Sequence, residues 1–179
     1  MNLRPPTHPY ILSLILSIMI AFSVQGQMFP PLELTFSSGQ GVKGSIVCLD
    51  VTVKNFTDIE SFQFNISYNA ALVRPICPFD SIHHIIPEGV PFINCGSSDQ
   101  GYVNLIWSGD PATLTDGTVL LTICFQLIGE PGNISPVYFN GLITEVEINR
   151  ADGMGNTKTI EFVSNPGSIT IISNTLEIY

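Results

Sequence analysis

The chain has 179 residues, of which 45% are hydrophobic and 12% charged, and its formal net charge at pH 7 is −9. The hydrophobic content excludes a disordered acidic tail, which cannot bury a core. Six Lys and Arg against 15 Asp and Glu argue against nucleic acid as a partner, because phosphate binding needs clustered positive charge. The length is that of one domain.

The first 26 residues have the pattern of a secretory signal peptide. Arg4 precedes an apolar run from Tyr10 to Phe22, and the small residue Gly26 follows it. The run is shorter than the roughly 18 residues that a membrane-spanning helix needs. We expect cleavage after Gly26, with an uncleaved N-terminal anchor as the alternative.

Alternation of apolar and polar residues dominates the rest of the chain and is typical of half-buried strands. The long predicted strands are Val47–Val53, Phe62–Tyr68 and Val119–Leu127. Shorter strands are predicted at Leu32–Phe36, Leu72–Ile76, Tyr102–Trp107, Val137–Phe139, Thr144–Ile148, Thr159–Val163 and Ser168–Ile172.

Turn residues separate these strands, and no segment has the pattern of an amphipathic helix. Turns are predicted at Gly39–Gly41 and Asp152–Asn156, and a long loop at Pro78–Gly96. Many short strands with polar turns predict an all-β antiparallel sandwich. One domain therefore spans residues 32–172, and residues 173–179 form a short C-terminal tail.

Four cysteines in an exported chain predict two disulfides, for which three pairings exist. Cys48 shares a strand face with Asp50, and Cys124 shares one with Thr122, so both point away from the core. We predict a cross-strand Cys48–Cys124 bridge. Cys77 and Cys95 then form the second bridge, which closes the irregular loop.

Several segments together resemble a cohesin domain, a β-sandwich module related to cellulose-binding modules. They are the glycine turn and valine strand Gly41–Val53, the strand Ile59–Asn69, the Asp-Gly turn and strand Leu114–Phe125, and the closing strand Gly167–Ile171. The resemblance covers about residues 32–172. The cysteines look like a variant seen in secreted proteins of Bacteroidota-type bacteria.

The resemblance implies a jelly-roll sandwich of about nine strands. It also implies a non-catalytic module without a cofactor that binds a dockerin-bearing partner in extracellular polysaccharide-degrading assembly. Two positions depart from the family pattern. Asn69-Ala70 replaces Asp-Pro, and Gln63 stands where many dockerin-binding cohesins have an acidic residue.

The same resemblance implies a partner-binding sheet face. Ser61, Gln63 and Asn65 are the outward residues of the strand on which dockerins dock in the family, and Ser108 and Asp110 flank it. Small polar side chains on a flat sheet suit a partner helix, because hydrogen bonds can set its register.

Direct binding of polysaccharide is the alternative function, and Tyr102, Trp107 and Tyr138 are its candidate sugar-stacking residues. Trp107 shares a strand face with Val103 and Leu105, so we expect it to pack in the core. An adhesive or structural module of the cell surface is a third alternative.

Metal binding and catalysis have weaker patterns, and we predict neither. Asp80, His83, His84 and Glu88 cluster in the predicted loop, but a metal site requires converging ligands. The Asp152–Asn156 turn has oxygen ligands for calcium but lacks the distal Glu of an EF-hand.

Four carboxylates on predicted strands and loops could serve glycoside hydrolysis, but no motif selects a pair from them: Asp50, Asp110, Glu145 and Glu147. Asn-x-Ser/Thr sequons occur at Asn55, Asn65 and Asn133. We expect Asn65 to be sterically available for glycosylation, since it lies on an outward strand face.

Overall fold

A computed structural model describes residues 29–77, 92–141 and 145–174. The chain divides into two units, Met1–Pro30 and Pro31–Tyr179, and the fold is that of the second unit. The predicted signal peptide at residues 1–26 and most of the predicted tail lie outside the described residues. No helix in the described ranges is long and apolar enough to cross a membrane.

Thirteen strands and one 3₁₀ turn make up the described part of the chain. The strands are β1 Leu32–Phe36, β2 Gly39–Val42, β3 Ile46–Lys54, β4 Ile59–Ser67, β5 Val73–Pro75, β6 Phe92–Asn94, β7 Tyr102–Ala112, β8 Val119–Leu127, β9 Ile134–Asn140, β10 Glu147–Ala151, β11 Thr157–Thr159, β12 Phe162–Asn165 and β13 Gly167–Ile172. The 3₁₀ turn is Ser98–Gln100.

These strands form two sheets. Sheet 1 has the order β12-β1-β3-β8-β5. In sheet 2, β4 lies at the centre: β7 pairs along one of its edges, while β10 and β9 share the other edge. Strands β6, β11, β13 and β2 extend sheet 2 outwards. The predicted jelly-roll β-sandwich is confirmed.

The strand pairing is not wholly antiparallel, because β1 pairs with β12 and β2 pairs with β13 in parallel. Gly39–Gly41 was predicted as a turn and instead forms most of β2. Its glycines serve close packing, since a Cβ at Gly39 would lie 2.5 Å from a Val47 methyl carbon and one at Gly41 2.6 Å from the Ser45 hydroxyl.

The predicted strand Thr159–Val163 is also wrong. β11 ends at Thr159 in sheet 2, and β12 begins at Phe162 in sheet 1, so the chain changes sheets between them. Of the predicted loop at Pro78–Gly96, residues 78–91 lie outside the described ranges, whereas Phe92–Asn94 forms a strand that pairs with β7.

The core lies between the two sheets and follows the predicted alternation. Sheet 1 contributes the fully buried Leu49, Val51 and Phe125, and sheet 2 contributes Phe62 and Phe64. The aromatic rings of sheet 2 pack in a chain, with centroids 5.2 Å apart for Phe62–Phe64 and 5.3 Å apart for Phe62–Trp107. Burial of these large side chains is the main favourable term in folding.

Both predicted disulfides are confirmed. Cys48 and Cys124 lie directly opposite each other on β3 and β8, with Cα atoms 3.9 Å apart, on the outer face of sheet 1. Cys77 and Cys95 join across 18 residues, with Cα atoms 6.4 Å apart. A short closed loop of this length contributes roughly 3 kcal/mol by reducing the entropy of the unfolded chain.

A polar sheet face as the candidate functional site

The outer face of sheet 2 presents side chains in rows that cross several strands. Phe62 and Phe64 point into the core, so Ser61 and Gln63 between them point outwards, as predicted. Ser61 pairs with Ser108 of β7, and Gln63 pairs with Ile106. On the other edge of β4, the neighbours of Ser61 and Gln63 come from β10.

A hydrogen-bond network fixes the polar side chains of this face. The Gln63 Nε2 atom donates to Glu147 Oε2 at 3.4 Å and to the Glu145 carbonyl oxygen at 3.3 Å. Asn149 Nδ2 donates to Glu147 Oε1 at 2.8 Å and to Ser61 Oγ at 3.0 Å. Glu147 therefore holds two amide side chains at once, and the face is ordered before any partner arrives.

Two exposed apolar side chains lie next to this network. Ile106 is 42% exposed and Phe92 63% exposed, and they pair across β7 and β6 in the same row as Gln63. An apolar centre with a polar surround is the usual anatomy of a protein-binding surface. We name the outer-face residues Ser61, Gln63, Phe92, Ile106, Ser108, Asp110, Glu147 and Asn149 the docking end.

The docking end is negatively charged. Asp110 and Glu147 belong to it, Glu60 precedes Ser61 on β4, and Glu145 lies in the loop before β10. Of the Lys and Arg side chains in the described residues, Lys43 pairs with Glu130, Lys54 pairs with Glu33, Arg150 is buried, and Arg74 lies on sheet 1. The exposed Lys158 on β11 lies beside β10, so the acidic side chains around the docking end outnumber the exposed cations near it. The local field therefore favours a positively charged partner.

Asn65 corrects the predicted site. It lies on the outward face of β4, as its parity requires, but it is fully buried. Asn104 and Asn140 flank it on the two neighbouring strands, and its Nδ2 atom donates to Asn104 Oδ1. The prediction that Asn65 is exposed is therefore wrong, both for partner contact and for glycosylation of its sequon.

Ser108 lies opposite Ser61, and Asp110 follows it on β7 in the stretch where the register with β4 shifts; both are exposed. Trp107 lies in the core at 1% exposure, which confirms the expected packing and removes it from any sugar-stacking surface. Its indole nitrogen has no hydrogen-bond partner in the described residues. Tyr102 and Tyr138 lie on the outer face of sheet 2 on either side of Ser67.

The described part of the structure does not support a metal site at the residues considered for one. The cluster Asp80, His83, His84 and Glu88 lies outside the described residues. In the described ranges, no group of three or more His, Cys, Asp or Glu converges on a point.

The Asp152 turn is held by its own backbone. The Asp152 carboxylate accepts hydrogen bonds from the Asn156 side chain at 2.9 Å and from the backbone N–H groups of Met154 and Asn156 at 2.7 and 3.0 Å. These bonds, the Asn156 side chain first, lower the pKa of Asp152. The oxygens therefore serve the predicted hairpin turn between β10 and β11.

The carboxylates considered for glycoside hydrolysis do not all share a face. Asp50 lies on sheet 1, where its Oδ1 atom accepts a hydrogen bond of 2.6 Å from the Thr122 hydroxyl. Asp110 and Glu147 lie on the outer face of sheet 2. Asp50 is thereby separated from the other two by both sheets, which pack about 10 Å apart.

Sequence reasoning missed Phe92, Ile106, Glu147 and Asn149 as members of the docking end, although Glu147 was considered for glycoside hydrolysis. The alternation of β7 places Ile106 on the face opposite Trp107, so the sequence contained a signal for its exposure. Asn149 and Phe92 could be found only from strand pairing. Asn149, for example, bonds Ser61, which is 88 residues away in the sequence.

Comparison with solved structures identifies the fold. The seventh ScaB type I cohesin from Pseudobacteroides cellulosolvens matches with a TM-score of 0.64 at 14% identity, over 83% of this chain and 97% of that chain. A non-cellulosomal cohesin from Archaeoglobus fulgidus matches with a TM-score of 0.61 at 14% identity, over 80% and 93%.

The cohesin in the Coh-OlpA–Doc918 cohesin–dockerin complex from Clostridium thermocellum matches with a TM-score of 0.58 at 22% identity, over 80% of this chain and 100% of that chain. No protein-family model and no curated protein matches the chain. The chain therefore has the cohesin fold, as the resemblance in its sequence predicted.

Proposed function

We propose that this chain is a secreted, non-catalytic binding module that recognises a dockerin-type protein partner through the docking end of sheet 2. The cohesin fold supports this proposal, because several structures with this fold are complexes of a cohesin with a dockerin. The extracellular setting is that of a polysaccharide-degrading assembly.

The arrangement of one row across sheet 2 carries the proposal. Gln63, held by Glu147, lies beside the exposed Ile106, and Phe92 continues the row on β6. This row combines a fixed polar group with apolar surface on a flat sheet. A helix laid across it buries the apolar side chains and meets hydrogen-bonding groups on either side.

The charge of the docking end restricts the partner. Asp110 and Glu147 face outwards on a chain whose net charge is −9. Long-range attraction then accelerates association with a positively charged helix and disfavours an acidic one. We therefore expect the recognised dockerin surface to carry Lys or Arg.

Export and module boundaries complete the proposal. Residues 1–26 have the signal-peptide pattern, and the two disulfides are compatible with an oxidising compartment. The module spans residues 32–172, followed by the tail at residues 173–179. No catalytic role is assigned to it.

The test is calorimetric titration of the purified chain with a panel of dockerin modules, including those encoded in its own genome. We expect at least one dockerin to bind with one-to-one stoichiometry. The double variant Gln63→Ala, Asp110→Ala should weaken that binding at least tenfold.

The matched control is the double variant Gln126→Ala, Glu161→Ala, which replaces an exposed glutamine and an exposed acid outside the docking end. It should bind the dockerin with the affinity of the unaltered chain. Equal affinity of the two double variants would remove the docking end from the interface. Failure of every dockerin to bind would contradict the function itself.

A further inference from the structure

The end of sheet 2 away from the docking end carries a row of aromatic and amide side chains. Ser67 pairs with Tyr102 on one side and with Tyr138 on the other, so both tyrosines lie in one row across β7, β4 and β9. The neighbouring row has Asn65 between Asn104 and Asn140. We name Ser67, Tyr102, Asn104, Tyr138 and Asn140 the tyrosine–asparagine patch.

Two tyrosines of the patch lie on either side of a short side chain. Tyr102 and Tyr138 are separated by two strand spacings, about 9.5 Å, and the short Ser67 lies between them. Tyr138 is 38% exposed, Tyr102 is half-buried, and Ser67 is only 8% exposed. The spacing of the two tyrosines is comparable with the length of a disaccharide.

Some hydrogen-bonding groups of the patch are bonded to one another, and others are open. Asn140 Nδ2 donates to Ser67 Oγ at 2.6 Å, and Asn104 Oδ1 accepts from Asn65. In the described part of the chain, the Asn104 Nδ2 atom and the Tyr138 hydroxyl have no hydrogen-bond partner. The patch therefore offers one amide donor and one hydroxyl group, both on ordered strands, to a ligand.

The patch itself contains no charged residue, and Asp99 lies in the 3₁₀ turn that precedes Tyr102. Strands β2, β6, β9 and β13 contain no Asp, Glu, Lys or Arg, although the chain has a net charge of −9. A neutral surface on an acidic protein gives no electrostatic preference for a charged ligand. Aromatic faces together with amides and hydroxyls are suited to a ligand that has C–H faces and many hydroxyl groups.

We propose that the tyrosine–asparagine patch binds an uncharged oligosaccharide, with the tyrosine rings stacked on the faces of sugar rings. Asn104 Nδ2 donates to a sugar hydroxyl, and the Tyr138 hydroxyl exchanges a hydrogen bond with another. This site adjoins the docking end but shares no residue with it, so one sheet face recognises both a protein and a glycan. Trp107 takes no part, because it is buried.

The test is affinity electrophoresis of the purified chain in native gels that contain hydroxyethylcellulose, xylan, glucomannan or mixed-linkage β-glucan. We expect retardation by at least one of these neutral polysaccharides, and calorimetry with the matching hexasaccharide then gives its affinity. The double variant Tyr102→Ala, Tyr138→Ala should lose at least tenfold in affinity. The variant Tyr102→Phe keeps the ring and should stay within threefold.

Two controls separate this proposal from misfolding and from the dockerin proposal. Ile46→Ala, on the exposed face of sheet 1, should leave retardation unchanged, and thermal melting should show that each variant is folded. The double tyrosine variant should still bind a dockerin that the unaltered chain binds. No retardation by any polysaccharide in the panel would overturn the proposal, as would equal retardation of the double variant or retardation by anionic polygalacturonate alone.

Discussion

The two ends of one sheet face differ in chemistry although they share the central strand β4. The docking end has exposed apolar side chains and outward carboxylates, including Ile106, Asp110 and Glu147. The tyrosine–asparagine patch has rings, amides and no charge. The difference shows that an acidic chain can concentrate its charge at one end of a sheet and leave the other end neutral. The proposed partners follow this difference: a cationic protein for the first end and a neutral glycan for the second.

The largest expected effect concerns the support beneath the docking end. Arg150 of β10 is 4% exposed, and its Nε and Nη2 atoms donate to the carbonyl oxygens of Thr57 and Asn55 at 2.8 and 3.1 Å. Burial lowers the pKa of Arg150, an effect that Asp58 opposes. Arg150→Met leaves both carbonyl groups without this donor, so we expect a loss of about 2–3 kcal/mol in unfolding free energy.

Urea denaturation measures that loss. Lys158→Met, an exposed lysine on the adjacent β11, is the matched control and should change stability by less than about 0.5 kcal/mol. If Arg150→Met were as stable as Lys158→Met, the loop from Asn55 to Asp58 would not depend on the guanidinium.

The second effect concerns the apolar centre of the docking end. Ile106→Arg places a long, strongly hydrated side chain in the row with Gln63, and we expect dockerin binding to weaken by about 2 kcal/mol or more, roughly 30-fold. Val163→Arg is the matched control, because Val163 on sheet 1 is also 42% exposed. Titration calorimetry of the two variants distinguishes a loss at the docking end from a general effect of added charge.

The third effect concerns electrostatic steering by the docking end. Asp110→Asn together with Glu145→Gln removes two negative charges, and we expect a several-fold lower association rate at low salt. The difference should disappear at about 1 M salt, where the Debye length falls to about 3 Å. Stopped-flow kinetics measure these rates. Glycan binding at the tyrosine–asparagine patch should not depend on salt, and a similar salt dependence there would contradict its neutral character.

The smallest effect concerns Tyr68, which follows β4 and whose hydroxyl donates to the Ser98 carbonyl oxygen at 2.8 Å. Burial first, and the charge of Asp99 second, raise the pKa of Tyr68 above its ordinary value of 10.0. The folded chain therefore keeps a proton that the unfolded chain loses. Its contribution to stability is complete below pH 10 and falls as the pH rises further.

Thermal melting between pH 8 and 11 tests this contribution. Tyr68→Phe cannot ionise at this position, so its melting temperature should fall less steeply above about pH 10 than that of the unaltered chain. Parallel curves for the two proteins would show that Tyr68 does not contribute to the alkaline dependence.

The sequence predicted which face each strand residue occupies but not how deeply it is buried. Strict alternation placed Ser61 and Gln63 outwards, and the same parity paired Cys48 with Cys124. Asn65 shares that parity and is fully buried, with Asn104 and Asn140 on either side of it in the sheet. The exposure of an outward side chain depends on segments that are distant in sequence, and the residues of one strand do not reveal which segments these are.

The edges of the sheets were the least predictable part of the fold. The sequence Gly39–Gly41 has the composition of a turn, but its pairing with β13 makes it a strand. The parallel partner comes from residues 169–172, at the other end of the chain. Composition describes local preference, whereas tertiary pairing overrides it where a partner strand is available.

The most direct test of the docking end is to add a dockerin that the chain binds and to measure the changes in backbone amide chemical shifts of the ¹⁵N-labelled chain. We predict that the perturbed signals cluster at Ser61, Gln63, Ile106, Ser108 and Asp110, and that those of Tyr138 and of sheet 1 residues such as Asp50 stay in place. Perturbations centred on sheet 1 or on the tyrosine–asparagine patch would contradict the assignment of the docking end.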